Sequence, residues 1–312
     1  MRKKILFFCP SHESLAKELN MNPKIFLGEI NWGKFDDGFP NLKVENVADL
    51  VDTDVIFLAD FSSSEEIFRQ LAVIYALPKY GINSLKVFLP FFSTGTMDRA
   101  MEDGQIVTAK TLARMLSVIP AAACPAQIFV FDIHALQEEF YFSDAVRVRH
   151  LTAINLLLDC LKKEGKTKEN LAVAFPDEGA YKRFGHYFKE YDRIICEKRR
   201  QPGGGRFITI KEGDPKGREV LIIDDLILSG NTLLECTKVL DEKGASCISA
   251  FATHGVFPKK NWHRFINLGI NLYLSNSCPV TVSEIAKSFS YSGTSEGFKV
   301  ISLAPAIENE IF

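Results

Sequence analysis

Short apolar runs recur along the chain, separated by stretches whose hydrophobic residues fall every three or four positions. Residues 5–9, 55–59, 87–92, 128–133, 171–175, 193–195, 220–223, 247–253 and 272–274 read as buried strands. Between them, residues 65–77 place Ile67, Phe68, Leu71, Ile74 and Tyr75 on one helical face. Residues 108–117 do the same with Ala109, Leu112, Ala113 and Leu116, and residues 232–243 with Leu233, Cys236, Val239 and Leu240. Strands alternating with helices predict βαβ units and mostly parallel sheets. The expected fold class is therefore α/β.

With 312 residues the chain is long for one α/β domain and fits two of about 150. The expected boundary lies near residues 148–153, giving domains 1–150 and 151–312. The halves share a pattern: FLADFSSSEEIF in the first and IIDDLILSGNTL in the second both run from a strand through small hydroxyl residues into a helix. The aspartate pair occurs only in the second, so two similar domains, one with a degenerate loop, are expected. The net charge of −2 supplies no basic excess for a nucleic-acid partner. The seven cysteines are scattered without a CxxC pair, as in a reduced, cytoplasmic protein. No apolar run approaches the ~20 residues that span a bilayer, so no membrane association is expected.

Residues 220–233, VLIIDDLILSGNTL, carry the most chemistry. An apolar strand runs into Asp224 and Asp225, and a turn of Ser229, Gly230, Asn231 and Thr232 then opens a helix. Neighbouring residues of a strand point to opposite faces. Both carboxylates therefore meet one ligand only if the strand has ended and the chain is turning. Ligands of open α/β sheets bind at the carboxyl ends of strands. Free N–H groups at a helix start suit a phosphate, and carboxylates suit vicinal hydroxyls. Diol plus phosphate points to a sugar phosphate, most simply ribose 5-phosphate.

Three further segments accompany it. FDIHALQ ends a strand with Asp132 and His134 two apart, hence expected on one face, where a neutral imidazole can ligate a metal. FPDEGAYKR offers Asp177 for a metal or hydroxyl, or as a helix cap, and Gly179 for close approach to an anion. CEKRRQPGGGR sets Lys198, Arg199 and Arg200 before three glycines, where a mobile basic loop could close over phosphates. Alternation puts Lys198 and Arg200 on the same side.

These segments, with FDDGFPN, PFFSTGT, THGVFP and NSCP, occur in the order found in ribose-phosphate diphosphokinase, the synthase of 5-phosphoribosyl 1-diphosphate (PRPP), and span nearly the whole chain. The wording resembles the plant-type, phosphate-independent class most. The resemblance implies the type I phosphoribosyltransferase fold, twice, and transfer of a diphosphoryl group from ATP to ribose 5-phosphate. It further implies that Asp224 and Asp225 bind ribose hydroxyls and that Ser229, Gly230, Asn231 and Thr232 hold the 5-phosphate. Lys198 and Arg200 would stabilise the transferring group, and His134 and Asp177 would position Mg2+. Phe35, Asp37, Asp98 and Arg99 would contact ATP, with the first two reaching into a neighbouring subunit of a homo-oligomer, trimer or hexamer.

The chain departs from the common bacterial and animal class. Thr96, Met97 and Asp98 stand where that class has Arg–Gln–Asp, Phe39 replaces a Glu, and Leu228 an acidic residue. These positions read as markers of the plant-type class. Two other functions share parts of the pattern: a phosphoribosyltransferase, and a non-catalytic regulatory protein bound to a synthase. The first leaves FDIHALQ and EKRR unexplained, and the second leaves the retained Lys198, Arg200, His134, Asp177 and aspartate pair unexplained.

Overall fold

The computed structural model describes residues 2–200, 206–292 and 297–312. The chain forms two compact units, Met1–Leu151 with Ala304–Phe312, and Thr152–Leu303. The first unit therefore includes the last residues of the sequence, which the expected boundary had given to the second.

In the first unit, β1 (Lys4–Phe8), α1 (Glu13–Leu19) and β2 (Ile25–Leu27) precede a hairpin of β3 (Ile30–Lys34) and β4 (Pro40–Val44). Next come β5 (Asp54–Leu58), α2 (Ser64–Ala76), β6 (Ser84–Leu89), α3 (Thr108–Ser117), β7 (Gln127–Phe131) and β8 (Arg147–Leu151). Six strands make one wholly parallel sheet in the order β2-β1-β5-β6-β7-β8. Val55, Phe57, Val87, Leu89, Ile128 and Val130 from its strands pack with Leu71 and Ile74 of α2 and with Leu112 and Leu116 of α3. That explains the helical spacing of those apolar positions.

The second unit contains α4 (Ile154–Lys163), β9 (Leu171–Phe175), α5 (Glu178–Phe184), β10 (Asp192–Arg200), β11 (Arg206–Glu212) and β12 (Glu219–Ile227). It continues through α6 (Asn231–Glu242), β13 (Cys247–Gly255), α7 (His263–Asn267), β14 (Asn271–Ser275), α8 (Pro279–Ser292) and β15 (Phe298–Ile301). Its sheet runs β11-β10-β9-β12-β13-β14-β15, parallel except for the β10–β11 hairpin. With β11 set aside, both sheets share one strand order, which reverses between β1 and β5 in one and between β9 and β12 in the other. The α/β reading holds in both units. The final helix, α9 (Ala304–Ile311), buries Ile307 and Ile311 and accepts a hydrogen bond from Lys86 Nζ at the Glu310 carbonyl.

Among the described residues all nine expected strands are present, and six more, β2, β3, β4, β8, β11 and β15, carry too little continuous apolar sequence to announce themselves. Strand β8 reads Arg-Val-Arg-His-Leu, and β3 and β4 are only partly buried. Among the described residues, no helix is long and apolar enough to cross a membrane.

Candidate active site

The strand reversal of the second unit puts the carboxyl ends of β9 and β12 side by side, the place where an open α/β sheet binds its ligands. From the β9 end, Asp177 opens α5 as its N-cap, its Oδ1 accepting the Ala180 N–H at 3.0 Å. The other oxygen, Oδ2, accepts from Lys198 Nζ of β10 at 2.8 Å. Burial pushes the Asp177 pKa up, but Lys198 and the Ala180 and Gly179 amides outweigh it and hold the group below its ordinary value. Asp177 is thus an ionised cap already paired with the candidate catalytic lysine.

Strand β12 does not stop at Ile223, as its apolar run suggests, but continues to Ile227 with Asp224 and Asp225 inside it. The parallel ladder to β13 persists through Asp224↔Ala252 and Leu226↔His254, which supplies the strand with hydrogen bonds beyond its apolar segment. The expected turn at the aspartates is therefore corrected. Asp225, buried, takes Arg183 Nη1 of α5 at 3.3 Å. The pKa of Asp224 is raised by burial first, then by Asp225 and by the charge of Asp177. A carboxylate in that setting gains from a ligand that supplies hydroxyl donors or a cation.

After β12, Ser229 is exposed and Gly230 occupies the left-handed region at φ +77 as the N-cap of α6. A Cβ there would lie 2.6 Å from the Phe265 ring, so both conformation and space call for glycine. Asn231 and Thr232 already belong to α6, whose start has no side-chain cap and no acidic residue in its first turn. Asn231 N–H makes a long bond to Ser229 Oγ at 3.4 Å, and the helix start of this 12-residue element, with no N-cap side chain, suits an anion.

The basic cluster is part of strand β10, not of a mobile loop. Lys198 pairs in register with Ile208 and Arg200 with Arg206 across the β10–β11 hairpin. The side chain of Arg200 and residues 201–205 lie outside the described residues.

The other candidates belong to the first unit. Phe35 and Asp37 sit in the tip of the β3–β4 hairpin, where Phe35 N–H donates to the Phe39 carbonyl at 2.8 Å and Asp37 Oδ1 accepts from Phe39 N–H at 3.0 Å. The Phe35 and Phe39 rings are exposed. Asp98 and Arg99 follow a short 3-10 turn, Gly95–Met97, and the Asp98 carbonyl accepts the Tyr141 hydroxyl. Asp132 and His134 do not share a face. β7 ends at Phe131, Asp132 takes φ +34 and is buried, and His134 is exposed. The kink at Asp132 breaks the two-residue alternation that the expectation assumed. Among the described residues, no cluster of three His, Cys, Asp or Glu gathers to hold a metal.

Sequence reasoning passed over two arginines. Arg183 lies inside the quoted FPDEGAYKR segment, but its pairing with Asp225 spans 42 positions, beyond the reach of any local pattern. Arg264, on α7, donates from Nη1 to Asn231 Oδ1 at 2.7 Å and to the Ser229 carbonyl at 3.5 Å. A single arginine on a five-residue helix leaves no periodic signal.

The deciding observation is a match across nearly the full chain. A protein of rice (Oryza sativa subsp. japonica), ribose-phosphate pyrophosphokinase 4, is 44% identical over 316 residues, covering 98% of this chain and 94% of its own. The chain belongs to the ribose-phosphate pyrophosphokinase family. The family model for the N-terminal domain of ribose phosphate pyrophosphokinase matches residues 4–119, and that for the phosphoribosyl transferase domain matches residues 154–261. Ribose-phosphate pyrophosphokinase 3, mitochondrial, of spinach (Spinacia oleracea) is 44% identical, over 98% of this chain and 76% of its own length. Such organelle forms leave a cytoplasmic location as an expectation. A crystal structure of phosphoribosylpyrophosphate synthetase from Mycobacterium smegmatis superposes with a TM-score of 0.82 over 99% of this chain and 98% of that one, at 21% identity. That likeness shows the fold, and the two-sheet architecture agrees with it.

Proposed function

We propose that the protein transfers the diphosphoryl group of ATP to the anomeric hydroxyl of ribose 5-phosphate, giving PRPP and AMP for nucleotide biosynthesis. Family membership sets the reaction class. The observation that carries the sugar-phosphate half is the β12–α6 corner, where two carboxylates lead into an uncapped helix start with no acidic residue in its first turn.

In this reading Asp224 and Asp225 accept hydrogen bonds from the ribose hydroxyls; although both lie within β12, their carboxyl groups interact directly with each other, so one ligand can reach both. Ser229, Gly230, Asn231 and Thr232 surround the 5-phosphate. Lys198, released from Asp177 or shared with it, neutralises charge on the transferring group together with Arg200. No covalent nucleophile is needed, because the substrate hydroxyl attacks the β-phosphorus directly and catalysis is positioning plus electrostatics. Phe35, Asp37, Asp98 and Arg99 contact the nucleotide, the hairpin tip reaching a neighbouring subunit of a homo-oligomer. The exposed Phe35 and Phe39 rings support that placement.

Asp177 would hold Mg2+, which would neutralise phosphate charge when bound, and His134, on the first unit, stands as a second metal-ligand candidate. The ionised Asp177 oxygen is the hard donor this ion prefers, and protein sites for it take one or two carboxylates and leave the remainder to phosphates and water. The plant-type wording points to little need for inorganic phosphate as activator. The scattered cysteines, with no CxxC pair, fit a reducing compartment, the cytoplasm in the simplest case.

The test is a coupled assay of the full chain with ribose 5-phosphate, ATP and magnesium, resolving AMP and PRPP by chromatography. Equal amounts of both products are expected without added phosphate. A steep phosphate requirement would overturn the class assignment. No turnover with ATP, GTP, CTP or UTP would leave a regulatory partner of a synthase as the better reading.

A further inference from the structure

On the ribose 5-phosphate reading of the 229–232 turn, we propose that Arg264 is a substrate-binding residue, anchored to the turn by one guanidinium nitrogen and engaging the 5-phosphate with the others. Helix α7 is brought against the turn by an unusual stretch of backbone. Phe257, Lys259 and Lys260 take φ values of +46, +59 and +58, a left-handed region that non-glycine residues occupy only when their surroundings compel it. The compelling contacts are visible. Phe257 and Trp262 are buried, and Phe257 meets Phe265 edge-on at 5.7 Å. Phe265 in turn fills the space over Gly230. The residue preceding it, Arg264, is thereby fixed beside the turn.

Its partners there are neutral. Nη1 donates to the Asn231 carboxamide oxygen at 2.7 Å and to the Ser229 carbonyl at 3.5 Å. Among the described residues Nε and Nη2 make no hydrogen bond, and no carboxylate pairs with Arg264. A guanidinium is always charged and presents five N–H donors in a planar fork matched to phosphate. Asn231 is the first residue of α6, so this charge stands at the positive end of that helix. Cations are disfavoured at such an end. A dianion bound between the two reverses the sign of the interaction and gives each a partner. Phosphate would then be gripped from both sides, by α6 amides and by the α7 side chain.

Steady-state kinetics on the full chain, with Arg264→Ala and Arg264→Lys, test this. Arg264→Ala should raise the KM for ribose 5-phosphate roughly 10- to 100-fold, the loss of one charged hydrogen bond, while kcat and the KM for ATP stay near wild type. Arg264→Lys should recover part of the loss. Calorimetric titration with inorganic phosphate should show weakened binding in Arg264→Ala, partly restored in Arg264→Lys. An unchanged KM for ribose 5-phosphate would overturn the proposal. So would a uniform rise in both KM values with a lowered Tm, which would mark Arg264 as a packing residue only. A wild-type chain that neither binds nor turns over ribose 5-phosphate would remove the substrate reading itself, and the proposal with it.

Discussion

At the corner after β5, in the first unit, the Asp60 carboxylate accepts the hydroxyls of Ser11 at 2.6 Å and Ser62 at 3.2 Å, and its backbone N–H and carbonyl both bond the Gln70 side chain. Ser63 caps α2 by accepting the Glu66 N–H, and Glu65 and Glu66 occupy the first turn. At the equivalent corner after β12, in the second unit, α6 begins with no side-chain cap and no first-turn acid, and Arg264 stands beside it. One corner has answered its own polar groups internally and repels an anion. The other has no N-cap side chain and no acid at its helix start, and only a long 3.4 Å bond from Asn231 N–H to Ser229 Oγ. With the same strand order in both sheets, a handful of side chains decides whether a strand reversal is structure or site, which is why fold alone does not assign function.

The largest contrast should come from the carboxylates. Changing Asp224 and Asp225 together to Asn is expected to raise the KM for ribose 5-phosphate about 100-fold, as two charged hydrogen-bond acceptors are lost. Asp60→Asn should leave that KM unchanged. If Asp60→Asn alters it comparably, the two corners are not functionally distinct.

Acid should separate the units next. His12, buried in the first unit with neither ring nitrogen partnered among the described residues, is pushed down to about 3 by burial. The unfolded chain then binds the extra proton below pH 6.5, and the unit loses roughly 1.4 kcal/mol for each pH unit between 6.5 and 3. Asp224 has the opposite sign. Its raised pKa makes the folded state bind the proton first, so the second unit gains stability as pH falls through that value towards 3.8. Hydrogen exchange at pH 7 and pH 5, resolved by unit, should show the first loosening and the second holding. Equal loosening in His12→Leu would remove His12 as the cause.

The smallest effect sharpens the comparison from the closed side. Ser63→Ala should cost the first unit about 1 kcal/mol, the worth of an N-cap, measured by chemical denaturation. The KM for ribose 5-phosphate should not move, and a shift would mean that the closed corner does touch the substrate site.

The sequence made the alternating architecture readable because central parallel strands such as Leu171–Phe175 are buried along their whole length. It also located the β12–α6 corner, since strand, acids, glycine and helix follow one another in the chain. Its errors have a common origin in partners distant along the chain. Strand β12 outruns its apolar run because β13 extends beside it, and the basic cluster is held straight by β11. The kink at Asp132 is a backbone state that residue type does not declare. Arg183 and Arg264 reach the corner through packing between elements, and no spacing rule connects them to it.

The return of α9 to the first unit makes the second a guest within the first. Lys4 Nζ lies 5.3 Å from the centre of the Phe312 ring, so the opening strand and the closing helix meet in one body. A chain emerging from the ribosome completes the inner unit while the outer one still lacks α9 and the partner for Lys86. The first unit thus draws its last helix from residues made only after the whole of the second.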